Sequence, residues 1–200
     1  QGIHTLREPG VEVLLGLRPA RARIDLDRLA SNYAAVAAYA KVPLMPVVKA
    51  DAYGHGAAAV GRRLVRAGAT MLAVALPEEG LELRSAGIQV PVIVMAGFAA
   101  SQVGLLAQKR LTPIVSTPAQ LAALLASPER PPSAHLKVDT GMSRLGFTRD
   151  AFVDAALRLS DHGIDVDGVM THLSSADESP ETTALQLDRF DAALNELRAA

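Results

Sequence analysis

Six short apolar runs punctuate this chain: Leu44–Ala50, Met71–Leu76, Pro91–Ala96, Thr112–Ser116, Ala134–Asp139 and Val166–His172. Their length and their Val and Ile content predict β-strands. Amphipathic stretches follow them and predict helices over Ala57–Ala67, Pro77–Ser85, Ala100–Gln108, Pro118–Ala126, Asp150–Ser160 and Thr182 to the end. Gly68 and Gly87 stand where helices should stop, and Pro77 and Pro118 suit first helical turns. Strand–helix alternation of this kind folds as a parallel sheet with right-handed crossovers, either an open doubly wound sheet or a barrel. No Gly-x-Gly-x-x-Gly fingerprint follows the first strand, which argues against the nucleotide-binding sheet. Polar residues instead close several strands: Lys49 and Asp51, Lys137 and Asp139, and His172. A (β/α)8 TIM-type barrel places its chemistry at that rim.

Such a barrel needs eight units and typically ~250 residues, whereas only six units are legible in these 200 residues. The last helix carries Leu187, Phe190, Leu194 and Leu197 on one face and ends at Ala200 without a Gly or Asn cap. The expectation is an incomplete barrel over 44–200 that belongs to a larger architecture. Residues 1–20 read as a lead-in segment without a clear period. Residues 21–43 read as a strand, Arg21–Asp27, and an Ala-rich helix from Leu29 to Tyr39, both preceding the barrel.

Composition narrows the function classes. Twenty basic residues stand against 21 acidic ones, a net charge of −1, so nothing electrostatic favours nucleic acid or an anionic membrane as a partner. No cysteine is present, which excludes thiolate catalysis, disulfides and sulfur-built zinc sites and fits a cytoplasmic protein. No apolar run is long enough to span a bilayer, and the charges at Arg7, Glu8, Glu12 and Arg18 leave no signal-peptide core. The chain opens on Gln1, which fits processing or trimming at that end.

Three stretches carry chemistry. In Val47-Val-Lys-Ala-Asp-Ala-Tyr-Gly-His-Gly56 a lysine closes an apolar strand. An apolar surrounding lowers a lysine pKa and makes the amine nucleophilic, as Schiff-base chemistry requires. Gly54 and Gly56 allow a tight turn and close approach to a ligand, and the helix that follows offers free N–H groups to an anion. The same residues also fit a lysine that merely reaches solvent before an ordinary glycine turn. In His135-Leu-Lys-Val-Asp-Thr-Gly-Met-Ser-Arg-Leu-Gly-Phe147, Lys137 and Asp139 share one strand face and Leu136 and Val138 the other. Gly141 breaks that strand and frees a loop carrying Arg144; a salt-bridged rim without catalytic role is the plainer alternative. In Val169-Met-Thr-His-Leu-Ser-Ser-Ala-Asp177, His172 lies near a strand end, where a structural histidine is equally at home. His55 can support the glycine turn, while His4, His135 and His162 read as loop or surface residues. Asp25 and Asp27 fit a strand end and a helix cap, and Glu78 and Glu79 suit a helix start without a catalytic role.

Taken whole, these stretches resemble the motifs of alanine racemases, the fold-type III enzymes that use pyridoxal 5′-phosphate (PLP), in order and at compatible spacing from about residue 21 to 200. The Tyr-Gly-His-Gly continuation is the specific part, since related barrel decarboxylases usually lack it. The resemblance implies that Lys49 holds the cofactor as an aldimine and that the Tyr53 hydroxyl binds its phosphate. Arg144 would hydrogen-bond the phenolic oxygen and contact substrate, and His172 would lie beside the pyridine ring. It makes Lys137 the lysine that many members carry as a carbamate. An unmodified Lys137 beside Arg144 would be a like-charge conflict, which calls for modification or a neighbouring carboxylate. No metal is implied. The implied reaction interconverts L- and D-alanine, supplying D-alanine for peptidoglycan in a cytoplasmic homodimer. Lys49 serves one face of Cα, and a tyrosine of a C-terminal β-domain, acting in the partner subunit's site, serves the other. The strand Arg21–Asp27 would join that β-domain. Two other readings remain open: a non-catalytic PLP-carrier barrel, and a PLP-dependent decarboxylase of diamino acids.

Overall fold

The computed structural model describes residues 22–200. Eight helical segments and five strands alternate: α1 (Leu26–Ala40), α2 (Lys49–Gly54), α3 (Ala57–Arg66), β1 (Leu72–Val74), α4 (Pro77–Ser85), β2 (Val92–Val94), α5 (Val103–Gln108), β3 (Leu111–Val115), α6 (Pro118–Ala126), β4 (Ser133–Lys137), α7 (Arg149–Asp161), β5 (Asp165–Met170) and α8 (Pro180–Ala199). A 3₁₀ turn, Ala100–Gln102, precedes α5, so the single helix expected there is split.

All strand pairs are parallel and the order is β1-β2-β3-β4-β5. An open doubly wound sheet reverses its strand order at a switch point; a barrel wall does not. The first predicted strand joins the same wall beside β1 through a single bridge, Val47 to Ala73, flanked by bonds from Val48 N to Ala73 O (2.8 Å) and from Ala73 N to Pro46 O (2.9 Å). Pro43 and Pro46 lack the N–H groups that would lengthen that ladder. The wall is therefore that of an incomplete barrel, with the six predicted strands in chain order.

The period-2 pattern sorts side chains into inner and outer sets. Ala73, Ile93 and Ile114 form the inner cluster, with Met45, Val47, Met95 and Met170 against it. Their strand neighbours Leu72, Val74, Val92 and Val94 pack outward with Val60, Leu64 and Leu83 of α3 and α4. Farther along, Ala134, Leu136 and Val138 pack with Phe152, Leu159 and Ala193 of α7 and α8. Each large side chain so buried contributes about 1.5–3 kcal/mol.

Two expectations change at the ends. The predicted strand Arg21–Asp27 is not a strand from residue 22 onward: Asp25 is the N-cap of α1, its carboxylate accepting from Asp27 N and Arg28 N, so Leu26 and Asp27 are already helical. Arg21, the lead-in segment and His4 lie outside the described residues. In α8 the apolar face does not begin at Leu187, which is exposed. The inward line runs Gln186, Phe190, Ala193, Leu197, with a polar residue first because that end of the helix faces the rim loops. Among the described residues no helix is long and apolar enough to cross a membrane.

Candidate active site

Lys49 does not end a strand. It opens α2, and α2 has the opposite hand to every other helix in the fold. Ala50, Asp51, Ala52 and Tyr53 have φ of 51°, 53°, 52° and 56°, with ψ between 38° and 51°. Four successive L-residues in the left-handed region cost roughly 1–2 kcal/mol each. Local bonds offset this. Ala52 N donates to Val48 O (2.9 Å) and Gly56 N to Asp51 O (2.9 Å). Asp51 Oδ1 accepts from Ala57 N at 2.6 Å, capping α3. His55 Nδ1 bonds Ala52 O (2.8 Å) and Tyr53 O (3.1 Å), so His55 braces the turn. The turn brings the Lys49 ammonium to 5.9 Å from the Tyr53 ring centre, with Lys49 half-buried and Tyr53 61% exposed at the rim.

Glu79 of α4 completes the turn. One carboxylate oxygen accepts from Ala50 N (2.6 Å), and the other from Ala75 N (2.6 Å) and Leu76 N (3.0 Å) at the exit of β1. A glutamate at a helix start has a sufficient local explanation, so this reach into the preceding unit is not legible from local pattern.

Lys137 is the last residue of β4 and is buried. Burial pushes its pKa down, the Arg144 charge pushes it further, and Asp139 opposes both. No carboxylate lies within salt-bridge distance of its amine among the described residues. Asp139 is occupied otherwise: its Oδ1 accepts from Gly141 N (2.9 Å) and Ser143 N (3.0 Å). Burial would raise that carboxyl, but the N–H groups of Gly141, Ser143 and Met142, with Lys137, hold it below its usual range. The loop it organises returns to the strand, Phe147 N donating to Lys137 O (2.8 Å) and Asp139 N to Phe147 O (2.9 Å). Arg144 is exposed on that loop.

His172 lies just past β5 and is exposed. Its pKa is lowered first by burial, then by the charges of Lys137, Arg144 and Lys49. Those three cations thus act on one imidazole and disfavour its charged form. Buried Gln186, not anticipated from sequence, ties this corner together. Its Nε2 donates to Thr140 Oγ1 (3.1 Å) and His172 O (3.1 Å), and its Oε1 accepts from Ser174 N (2.8 Å). Its position in an amphipathic helix marked it only as a surface residue.

The five candidates therefore gather at the C-terminal rim. Lys49, Lys137 and Arg144 are cations there, and the nearby carboxylates of Glu79, Asp51 and Asp139 are engaged by backbone N–H groups. The donor set suits an anionic ligand, and a lysine amine among these groups can form an imine with an aldehyde. His135 is not the loop or surface residue expected. It sits in β4, half-buried, against Gly168 of β5, where an added Cβ would come within 2.6 Å of its ring. Burial lowers its pKa and Asp167 opposes that. Among the described residues no group of His, Asp and Glu side chains is arranged to hold a metal ion.

Comparison with known proteins agrees with this geometry. The family model described as "Alanine racemase, N-terminal domain" matches residues 24–200. The alanine racemase of Halothermothrix orenii is 44% identical over 189 residues, which cover 90% of this chain and 49% of the relative. The catabolic alanine racemase of Pseudomonas putida is 41% identical over 187 residues, 92% of this chain and 52% of the relative. Among solved structures, the alanine racemase of Corynebacterium glutamicum superposes with a TM-score of 0.82 at 31% identity, covering 88% of this chain and 52% of that one. That of Bacillus anthracis, solved with bound L-Ala-P, gives 0.81 at 28% identity, covering 88% and 47%. The chain spans about half the length of the curated relatives it matches. With the family model matching residues 24–200 and relatives above 40% identical over nine-tenths of its length, the chain belongs to the alanine racemase N-terminal domain family.

Proposed function

We propose that this chain is the PLP-binding barrel of an alanine racemase that interconverts L- and D-alanine. The observation that carries the proposal is the Lys49 turn at the barrel rim, with Tyr53 in the same turn and the charges of Lys49, Lys137 and Arg144 all acting on His172. When bound, the cofactor supplies an electron sink for the bond at the substrate's α-carbon. Lys49 would hold the cofactor's aldehyde carbon, and its amine, when free, would take and return the α-proton on one face. Tyr53 would hold the phosphate through its hydroxyl. Arg144 offers a planar, permanently charged donor fork to the phenolic oxygen and to the substrate carboxylate. His172 would lie beside the ring. Lys137, buried and with its amine pKa lowered, is suited to react with carbon dioxide. The carbamate would turn a like-charge neighbour of Arg144 into an acceptor that orients it.

The opposite face of the α-carbon is served, in this proposal, by a tyrosine of a β-domain that the partner subunit of a homodimer contributes. The enzyme works in the cytoplasm and supplies D-alanine for peptidoglycan. The L-Ala-P of the Bacillus anthracis relative supports alanine as the substrate class. The test is a visible spectrum of the intact protein with PLP, before and after borohydride, followed by peptide mapping. The expected result is a label on Lys49 that disappears completely in Lys49→Ala. A label confined to Lys41 or Lys109, or one of equal size in the mutant, would overturn the proposal.

A further inference from the structure

We infer that Glu79 is a positioning residue for Lys49: it holds the left-handed turn in the shape that aims the lysine amine into the site. Four βα units share one device. A side chain of the helical segment accepts a hydrogen bond from an N–H of the loop between strand and helix. Gln102 takes Ala99 N (2.8 Å), Gln120 takes Ser116 N (2.8 Å), and Gln186 takes Ser174 N (2.8 Å). Glu79 does the same for Ala75 and Leu76. In two of the glutamine units the amide nitrogen donates: Gln102 to Glu78 Oε1, and Gln186 to Thr140 Oγ1 and His172 O. A carboxamide serves where one arm accepts and the other donates.

The Glu79 unit differs on its second arm. That arm meets another N–H, of Ala50, the residue directly after Lys49, at 2.6 Å. Both arms must accept, and only a carboxylate does so. The bond falls on the first of the four residues with left-handed φ, where strain would otherwise be relieved by unwinding. The carboxylate thereby couples the Lys49 backbone to the exit of β1 in the neighbouring unit. This assignment rests on the proposed role of Lys49.

The deciding variant is Glu79→Gln in the intact protein. It keeps the size of the side chain but points an amide donor at one of the N–H groups. Two measurements are made. Backbone amide exchange over Val48–Gly56 should speed up by about tenfold, the effect of losing one charge-assisted hydrogen bond. Trapping of PLP on Lys49 by borohydride should slow by a similar factor, while labelling of exposed Lys41 and Lys109 is unchanged. Faster exchange with unaltered Lys49 labelling would reduce Glu79 to a fold brace and overturn the inference. Slower labelling with unaltered exchange would overturn it too, because the loss would then come from charge and not from the turn. If the variant fails to fold, Glu79→Asp replaces it. Aspartate accepts on both oxygens but is one methylene short, so the same selective loosening of Val48–Gly56 is expected. A wild-type protein whose Lys49 never takes the label would sink the proposed function of Lys49, leaving the exchange result to judge the clamp.

Discussion

The rim holds two cationic arms by opposite means. Lys49 is carried on a turn of L-residues forced into the left-handed region and fixed there by side-chain acceptors, Glu79 and Asp51. Arg144 is carried on a loop between Gly141 and Gly146, with φ of 139° and 136°, where glycine adopts the backbone with little strain. Strain offset by specific bonds gives one geometry or none, which suits the anchoring role proposed for Lys49. The Arg144 loop bends at Gly141, Ser143 (φ 57°) and Gly146 and is tied by the Asp139 carboxylate to Gly141 N and Ser143 N and by the Phe147 bonds to the strand, with Arg144 exposed beyond those ties. The difference lies in where the constraint comes from: for Lys49 it includes Glu79 of a neighbouring unit, whereas for Arg144 it is local, from Asp139 at the foot of the loop and from the glycine backbone.

The contrast breaks most visibly at Gly146. A Cβ there would lie 2.6 Å from Asp139 N and 2.8 Å from the Val138 carbonyl carbon, both backbone atoms of the strand exit. Neither can move without opening the bridge between Val138 and Phe147. Gly146→Ala should cost about 2–4 kcal/mol, read as a fall of several degrees in thermal unfolding. An unchanged melting temperature would mean that the loop is not pinned to β4 in this way.

A second variant sharpens the picture of the same loop through pH. In the fold, Asp139 titrates below its ordinary value of 3.8 because loop N–H groups hold its ionised form. A depressed carboxyl contributes stability that is complete above the unfolded value and is lost as pH falls through the folded one. Asp139→Asn should therefore cost about 1 kcal/mol near neutral pH, since its oxygen still accepts but without charge. The gap from wild type should close as the pH drops below about 4. Denaturant melts of both proteins across that range give the answer; a gap that widens in acid would contradict the assigned bonds.

What the sequence disclosed and what it hid divide along the same line. Strands and helices were legible because burial imposes period 2 on strands and a stripe on helices, and Pro77 and Pro118 marked helix starts to the residue. Lys49, Lys137, Arg144 and His172 were legible as polar groups at strand ends or on the loops that follow them. The hand of the Lys49 turn was not, because Ala50-Asp-Ala-Tyr53 contains no glycine or asparagine to signal positive φ. Its conformation is set by Glu79, a residue remote in sequence. Gln186 was hidden for a similar reason: its partners Thr140, His172 and Ser174 come from two other loops. His135 was misplaced because the space for its ring is made by Gly168 on the next strand. Local pattern reports what each segment buries, whereas the braces of the site are contacts between segments.

The smallest effect tests the strain itself. Ala50 has φ of 51° and an exposed side chain, and its N–H is the one that Glu79 accepts. Glycine there would relieve about 1–2 kcal/mol of left-handed strain. It would also add roughly 0.5–1 kcal/mol of unfolded-state entropy to be lost on folding. Ala50→Gly should therefore stabilise the protein by about 0.5 kcal/mol, near the limit of a careful denaturant melt. The opposite sign would show that the alanine is not strained, and the turn would then need no acceptor to hold it. If the small gain appears, combining Ala50→Gly with Glu79→Gln asks whether lower strain lessens the need for the clamp. The double variant should lose less stability than Glu79→Gln alone, because residues joined by one hydrogen bond are not additive.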